Sequence, residues 1–287
     1  MNKIFNSRPW LIIEPVILLV VFGLLARELT PLWGVAPGAA DLALSASPPD
    51  WRALAILDGK SLLIKWGMLI ASAALLASLR GYNIFRPIAG ECPSLSFAQL
   101  VLLGLVVAIP LHVMSVLPRW YHFNVAPLGE APPIWALLYG STWTLEFWAF
   151  MAVSSFLLVP IVEELFFRGY FLGSLAKVFS PFWAIVLSAA VFAAMHLQYA
   201  ALDAFALYNM AMVFTMSAVY AWTVFATRSL IPAIVGHAYG NFPQPLEWAP
   251  YQSLLIIPAL IVVFMLMRAR HSTFDKNVTG KPPGPLR

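Results

Sequence analysis

Charge is what this 287-residue chain has least of: only 10% of its residues are Asp, Glu, Lys or Arg, against 61% hydrophobic. Soluble domains carry roughly a quarter charged residues. So few charges cannot cover a water-facing surface, and a mean hydropathy of +0.82 excludes an ordinary soluble domain. Cysteine is nearly missing too, with Cys92 alone. That excludes an internal disulfide and a multi-cysteine metal site, and leaves the thiol as a spectator. No internal repeat or heptad is present. The formal net charge of +4 is modest, and in so apolar a chain the placement of Lys and Arg matters more than their sum. No nucleic-acid partner is implied.

What the chain does have is apolar runs of membrane length, about 20 residues each, from end to end. Eight windows qualify, at about 10–27, 61–79, 97–117, 144–162 or somewhat later, 181–198, 204–226, 229–242 and 251–267, the seventh being short. The fold expected is all-α: a polytopic integral membrane helical bundle of about eight transmembrane helices, with the lipid bilayer as its solvent. The first window opens after Lys3 and Arg8 like a signal peptide, but no small-residue cleavage site follows and Glu14-Pro15 interrupts it; it reads as a retained span. With the N-terminus inside, twelve of the seventeen basic residues fall on the inner side, and only Arg27, Arg52, Lys60, Lys65 and Arg119 lie outside or in the second span. The positive-inside rule then places both termini in the cytoplasm of a multi-pass protein, in a prokaryote that of the inner membrane. Three regions follow: residues 1–143, about three spans of unassigned role; 144–250, the stretch that carries chemistry; and 251–287, a last span with a basic tail.

Ionisable groups inside spans are costly, at roughly 2.5–3.5 kcal/mol on insertion scales, and mark function by default. The richest cluster is Pro160-Ile161-Val162-Glu163-Glu164-Leu165-Phe166-Phe167-Arg168. Glu164 and Arg168 stand four apart and share a helix face, so they can pair. Glu163 points about 100° away with no partner in its own helix. That division leaves Glu163 as the group available for general-base work. Solvation of both glutamates at a span end is the bland alternative. The fifth span ends Phe192-Ala193-Ala194-Met195-His196, and the seventh holds His237-Ala238-Tyr239-Gly240-Asn241, with His237 and Asn241 on one face. A lone membrane histidine is more often a helix-to-helix hydrogen bond. Two glutamates, two histidines and an asparagine in neighbouring spans form a fuller catalytic inventory.

These three stretches resemble the motifs E-E-x-x-x-R, F-x-x-x-H and H-x-x-x-N of the CPBP intramembrane endopeptidases, also called the Abi or type II CAAX-protease-like family. Order and spacing match over about residues 145–245. The resemblance implies a metal-independent glutamic endopeptidase with no cofactor, acting on a membrane-associated protein or peptide. Glu163 would be the base, His196 would hold or help deprotonate the water, and His237 with Asn241 would stabilise the oxyanion. Glu164, Arg168 and Phe192 would support the site. For Glu163 and His196 to meet, the fourth helix must continue past the glutamates, and the apolar run from Leu165 to Leu175 is expected to carry it on.

Other readings are open. H-E-x-x-H, G-x-S-G and G-x-G-D motifs are absent. Glu163, His196 and His237 could instead hold Zn²⁺ with an open position for water. A non-enzymatic membrane protein, a bacteriocin-immunity factor or a scaffold, is a second class, and a transporter a third with little support. The substrate, the cleavage position and the oligomeric state are not legible in these residues.

Overall fold

The computed structural model describes residues 7–36, 38–46, 48–88, 95–127, 143–196 and 204–266. Cys92 lies outside them. The described residues are mostly helical, with no strand among them. The principal helices are α1 (Arg8–Leu29), α2 (Trp51–Leu79), α3 (Phe97–Asn124), α4 (Leu145–Leu175), α5 (Pro181–Ala194), α6 (Ala204–Thr227), α7 (Ile231–Asn241) and α8 (Leu246–Leu266). They follow the eight apolar windows in order. Six are long and apolar enough to cross a membrane; α5 with 14 residues and α7 with 11 are not. The expected polytopic helical bundle is therefore present, with six helices of membrane-crossing length among the described residues.

Local chemistry sets the helix boundaries. Ser96 and Gln99 form a reciprocal capping box that starts α3, Asp50 accepts from the Ala53 amide at the start of α2, and Thr144 accepts from Phe147 at the start of α4. Pro181 and Pro232 sit in the first turns of α5 and α7, where a missing N–H costs nothing. Arg228 adopts a left-handed φ of +59° in the turn from α6 to α7.

Apolar side chains that face outward, such as Val20 and Leu24 of α1 or Ile257 and Phe264 of α8, are the ones a bilayer would cover. The inner core is shared by α1 to α7 and is built from Leu19, Leu69, Leu103, Phe166, Tyr170, Phe192, Tyr220 and Ala233, among others. Two close approaches define it. A Cβ on Gly104 of α3 would stand 2.6 Å from the Pro232 carbonyl of α7, and one on Gly236 would stand 2.8 Å from the Tyr220 ring of α6. Glycine is what lets α7 sit wedged between α3 and α6.

Candidate active site

α4 is continuous through the paired glutamates to Leu175 and widens into a π-helical stretch over Leu165–Phe171. Such widened turns recur at functional sites. Glu163 and Glu164 consequently lie well inside the helix, and Arg168 is paired. Its Nη1 is 3.0 Å from Glu164 Oε1, with both side chains fully buried. Arg168 also donates to the Ser217 hydroxyl of α6 at 3.0 Å and lies over the Phe192 ring at 4.6 Å. Three helices are thus tied to one guanidinium, whose separate donors and flat face lysine lacks.

Glu164 has a second partner. His237 Nδ1 is 2.8 Å from Glu164 Oε1, and an ionised carboxylate can only accept, so Nδ1 carries the proton. This fixes the ring and turns Nε2 toward Glu163, whose Oε2 is 3.9 Å away. Tyr220 stacks on the imidazole, Phe192 meets it edge-on, and the Tyr220 hydroxyl donates to the Gly236 carbonyl at 2.9 Å. Glu163 differs from its neighbour in access: its side chain is 14% exposed where that of Glu164 is 0%.

His196 follows the last turn of α5. Its Nδ1 lies 2.9 Å from the Phe192 carbonyl, which can only accept, so the neutral ring presents Nε2 as an acceptor. Glu163 lies within electrostatic reach of both His196 and His237. Asn241 ends α7 and is clamped to α4: its Nδ2 donates to the Ser155 carbonyl and Ser155 Oγ donates to the Asn241 carbonyl, each at 3.1 Å. One N–H of the Asn241 amide remains beyond the bond to Ser155. Glu163, Glu164, Arg168, Phe192, His196 and His237 therefore form one cluster, with Asn241 at its edge.

Ser155, Ser217 and Tyr220 were not singled out by sequence, since hydroxyls in apolar helices are common. His112 is different. It is a histidine in the middle of an apolar span, so the rule for intramembrane ionisable groups marks it. In the structure it is buried, stacks edge-on against Tyr239 at 5.3 Å and lies against the Gly240 backbone. It braces the C-terminal turn of α7 from behind.

A second polar cluster lies deeper along α4. Glu14 of α1 accepts from the Tyr170 hydroxyl at 2.5 Å and from Arg80 at 2.6 Å. Tyr82, just past α2, donates to the Tyr170 carbonyl at 3.2 Å and stacks on the Tyr170 ring. Burial pushes the Tyr82 hydroxyl up to about 12, so it stays a donor. Lys177 caps its ring at 4.1 Å.

Among the described residues no three His, Cys, Asp or Glu side chains are grouped as metal ligands would be. No curated protein and no solved structure matches the chain. A family match does exist, to the type II CAAX prenyl endopeptidase Rce1-like family over residues 143–243. That stretch contains α4 to α7 and every residue of the cluster, so the family resemblance of the motifs and the geometry coincide. Over this segment, about a third of its length, the chain is similar to the type II CAAX prenyl endopeptidase Rce1-like family.

Proposed function

We propose that the chain is a metal-independent glutamic intramembrane endopeptidase, using no cofactor, that hydrolyses a peptide bond of a membrane-associated protein or peptide. The observation that carries this reading is the placement of Glu163, partly accessible and 3.9 Å from His237 Nε2, while Glu164 holds the far nitrogen of the same ring. Glu163 takes a proton from water held against His196 Nε2, and the hydroxide attacks the carbonyl carbon. The negative charge develops on the carbonyl oxygen, where His237 Nε2–H and the remaining Asn241 N–H donate to it. With Nδ1–H held by Glu164, donation from Nε2 requires the doubly protonated ring. The proton on Glu163 then passes to the departing amine as the C–N bond breaks. Both termini are assigned to the cytoplasm by the Lys and Arg bias.

The test compares membrane peptides from cells carrying the wild type and Glu163→Gln at matched expression. Peptides that accumulate uncleaved in the variant are the expected result. Identical peptide profiles would overturn the protease reading in favour of a binding or immunity protein.

A further inference from the structure

We infer that His112 of α3 is a positioning residue for the cleavage: by holding the Gly240 carbonyl it fixes Asn241 where the remaining N–H of its amide reaches the oxyanion. The inference rests on the protease reading for the role of Asn241 and on the packing of α3 against α7 for how Asn241 is held.

α7 has only 11 residues, and its last one is the one that must be placed. The final carbonyls of a helix have no partner within it. Here three of them in a row find donors. The Tyr239 carbonyl accepts from the Phe242 amide at 3.2 Å, and the Asn241 carbonyl accepts from Ser155 Oγ of α4 at 3.1 Å. The Gly240 carbonyl between them accepts from the His112 ring. Among the described residues Nε2 of that ring has no hydrogen-bond partner, so Nδ1 is the donor. A carbonyl and the N–H that follows it share one rigid peptide plane. Holding the Gly240 oxygen therefore holds the Cα of Asn241. Glycine has the weakest helical preference of any residue but proline, so the hold on this turn comes from outside it.

That outside support is stiff. Gly104 of α3 fits against the Pro232 backbone at the start of α7, and His112 meets Gly240 at its end, eight residues further on along each helix. The two helices run parallel, and at 1.5 Å per residue both steps rise about 12 Å. They are in register from the glycine notch to the turn. His112 is 4% exposed, lies between buried Leu111 and Val113, and meets the Tyr239 ring edge-on at 5.3 Å. The Tyr208 hydroxyl of α6 donates to the Met114 carbonyl at 2.5 Å, which ties the same turn of α3 to a third helix.

A buried acceptor such as Nε2 costs stability when it is left unpaired. Phenylalanine would fill the same space against Tyr239 without that cost, so what histidine adds is the N–H to Gly240. Ser155 fixes the Asn241 amide from the side of α4, where its carbonyl accepts from Nδ2 at 3.1 Å, and His112 fixes the backbone from the side of α3. A displacement of about 1 Å in such a group can cost on the order of a hundredfold in rate.

The experiment uses the full chain in detergent and a peptide that accumulates uncleaved in Glu163→Gln cells. His112→Phe keeps a ring against Tyr239 and removes the N–H; His112→Asn puts an amide N–H near the place of Nδ1. His112→Phe should lower kcat about tenfold with KM within about twofold, less than the loss of the Asn241 donor itself. His112→Asn should recover most of that kcat. In the Asn241→Ala background His112→Phe should change kcat by less than about twofold, because the group it places is gone. Hydrogen–deuterium exchange at the Phe242 amide, which closes the same turn, should quicken in His112→Phe and slow again in His112→Asn. His112→Leu takes the place of His112→Phe if the latter does not accumulate. An unchanged kcat, or an equal loss with and without Asn241, would overturn the inference. If no peptide depends on Glu163, the protease reading falls and exchange at Phe242 decides alone: faster exchange leaves the hold on Asn241 standing, and unchanged exchange removes it.

Discussion

His237 Nδ1 stands 2.8 Å from Glu164 Oε1, so the histidine of the third motif is oriented by the second glutamate of the first. The two carboxylates therefore differ in kind. Glu164 is fully buried between Arg168 and His237, while Glu163 keeps partial access and faces the other nitrogen of the ring.

That difference sets the first prediction. Glu163→Gln keeps the shape of the side chain and removes the base; turnover should vanish with little change in detergent melting temperature. Glu164→Gln leaves Arg168 buried without its charge partner, and breaking such a pair costs about 3–5 kcal/mol. It should melt markedly lower or fail to accumulate. Thermal melting beside cleavage of an accumulating peptide separates the two; a reversal of the phenotypes would exchange their roles.

Asn241 tests the oxyanion assignment. Asn241→Ala should lower kcat roughly a hundredfold or more while KM changes little. His237→Ala should do the same, and the double variant should fall short of the product because both serve one charge. If the pair only joins helices, each alanine variant will lose some thermal stability and cleave at near-normal rates.

Much of this cluster was legible in the residues. The four-residue step from Glu164 to Arg168 fixes a shared helix face, and the structure pairs them. The apolar run after Arg168 required a helix that continues past the glutamates, and α4 does so. Contacts that cross the chain were not legible: His237 meets Glu164 over 73 residues and Tyr170 meets Glu14 over 156, and no local period encodes either. Helix lengths were blurred for a different reason. A membrane-length window averages across turns, so the 181–198 window ran past the described end of α5 at Ala194, while the seventh was read as short and is short. In α2, the polar Asp58 and Lys60 hid a helix that starts ten residues before the window, at the Asp50 cap.

Sidedness has a check in the native thiol. The Lys and Arg bias puts Cys92 in the cytoplasm. In intact cells it should resist an impermeant thiol reagent and react after permeabilisation; labelling from outside would overturn the assignment of both termini.

Metal independence is measured by chelation. Activity should persist in a strong zinc chelator, because a base-activated water needs no ion. A loss restored by added zinc would move the mechanism to a metal-bound water.

Packing is tested at Gly104. A methyl there meets the Pro232 carbonyl at 2.6 Å, backbone that cannot swing aside. Gly104→Ala should destabilise by about 1–3 kcal/mol, the usual range for overpacking, read as a lower melting temperature in detergent. An unchanged melting point would show that α3 and α7 can separate at no cost.

The same contact bears on what can be inherited or engineered separately. α3 lies outside the family-matched stretch, yet it forms one wall of the groove that seats α7 and, through His112, supports the turn holding Asn241. A fragment cut to residues 143–243 would carry every motif and lack that wall. α3 is thus part of the packing that seats the motif-bearing helices, and a graft of those helices onto another membrane scaffold would have to bring along a glycine-notched partner for α7.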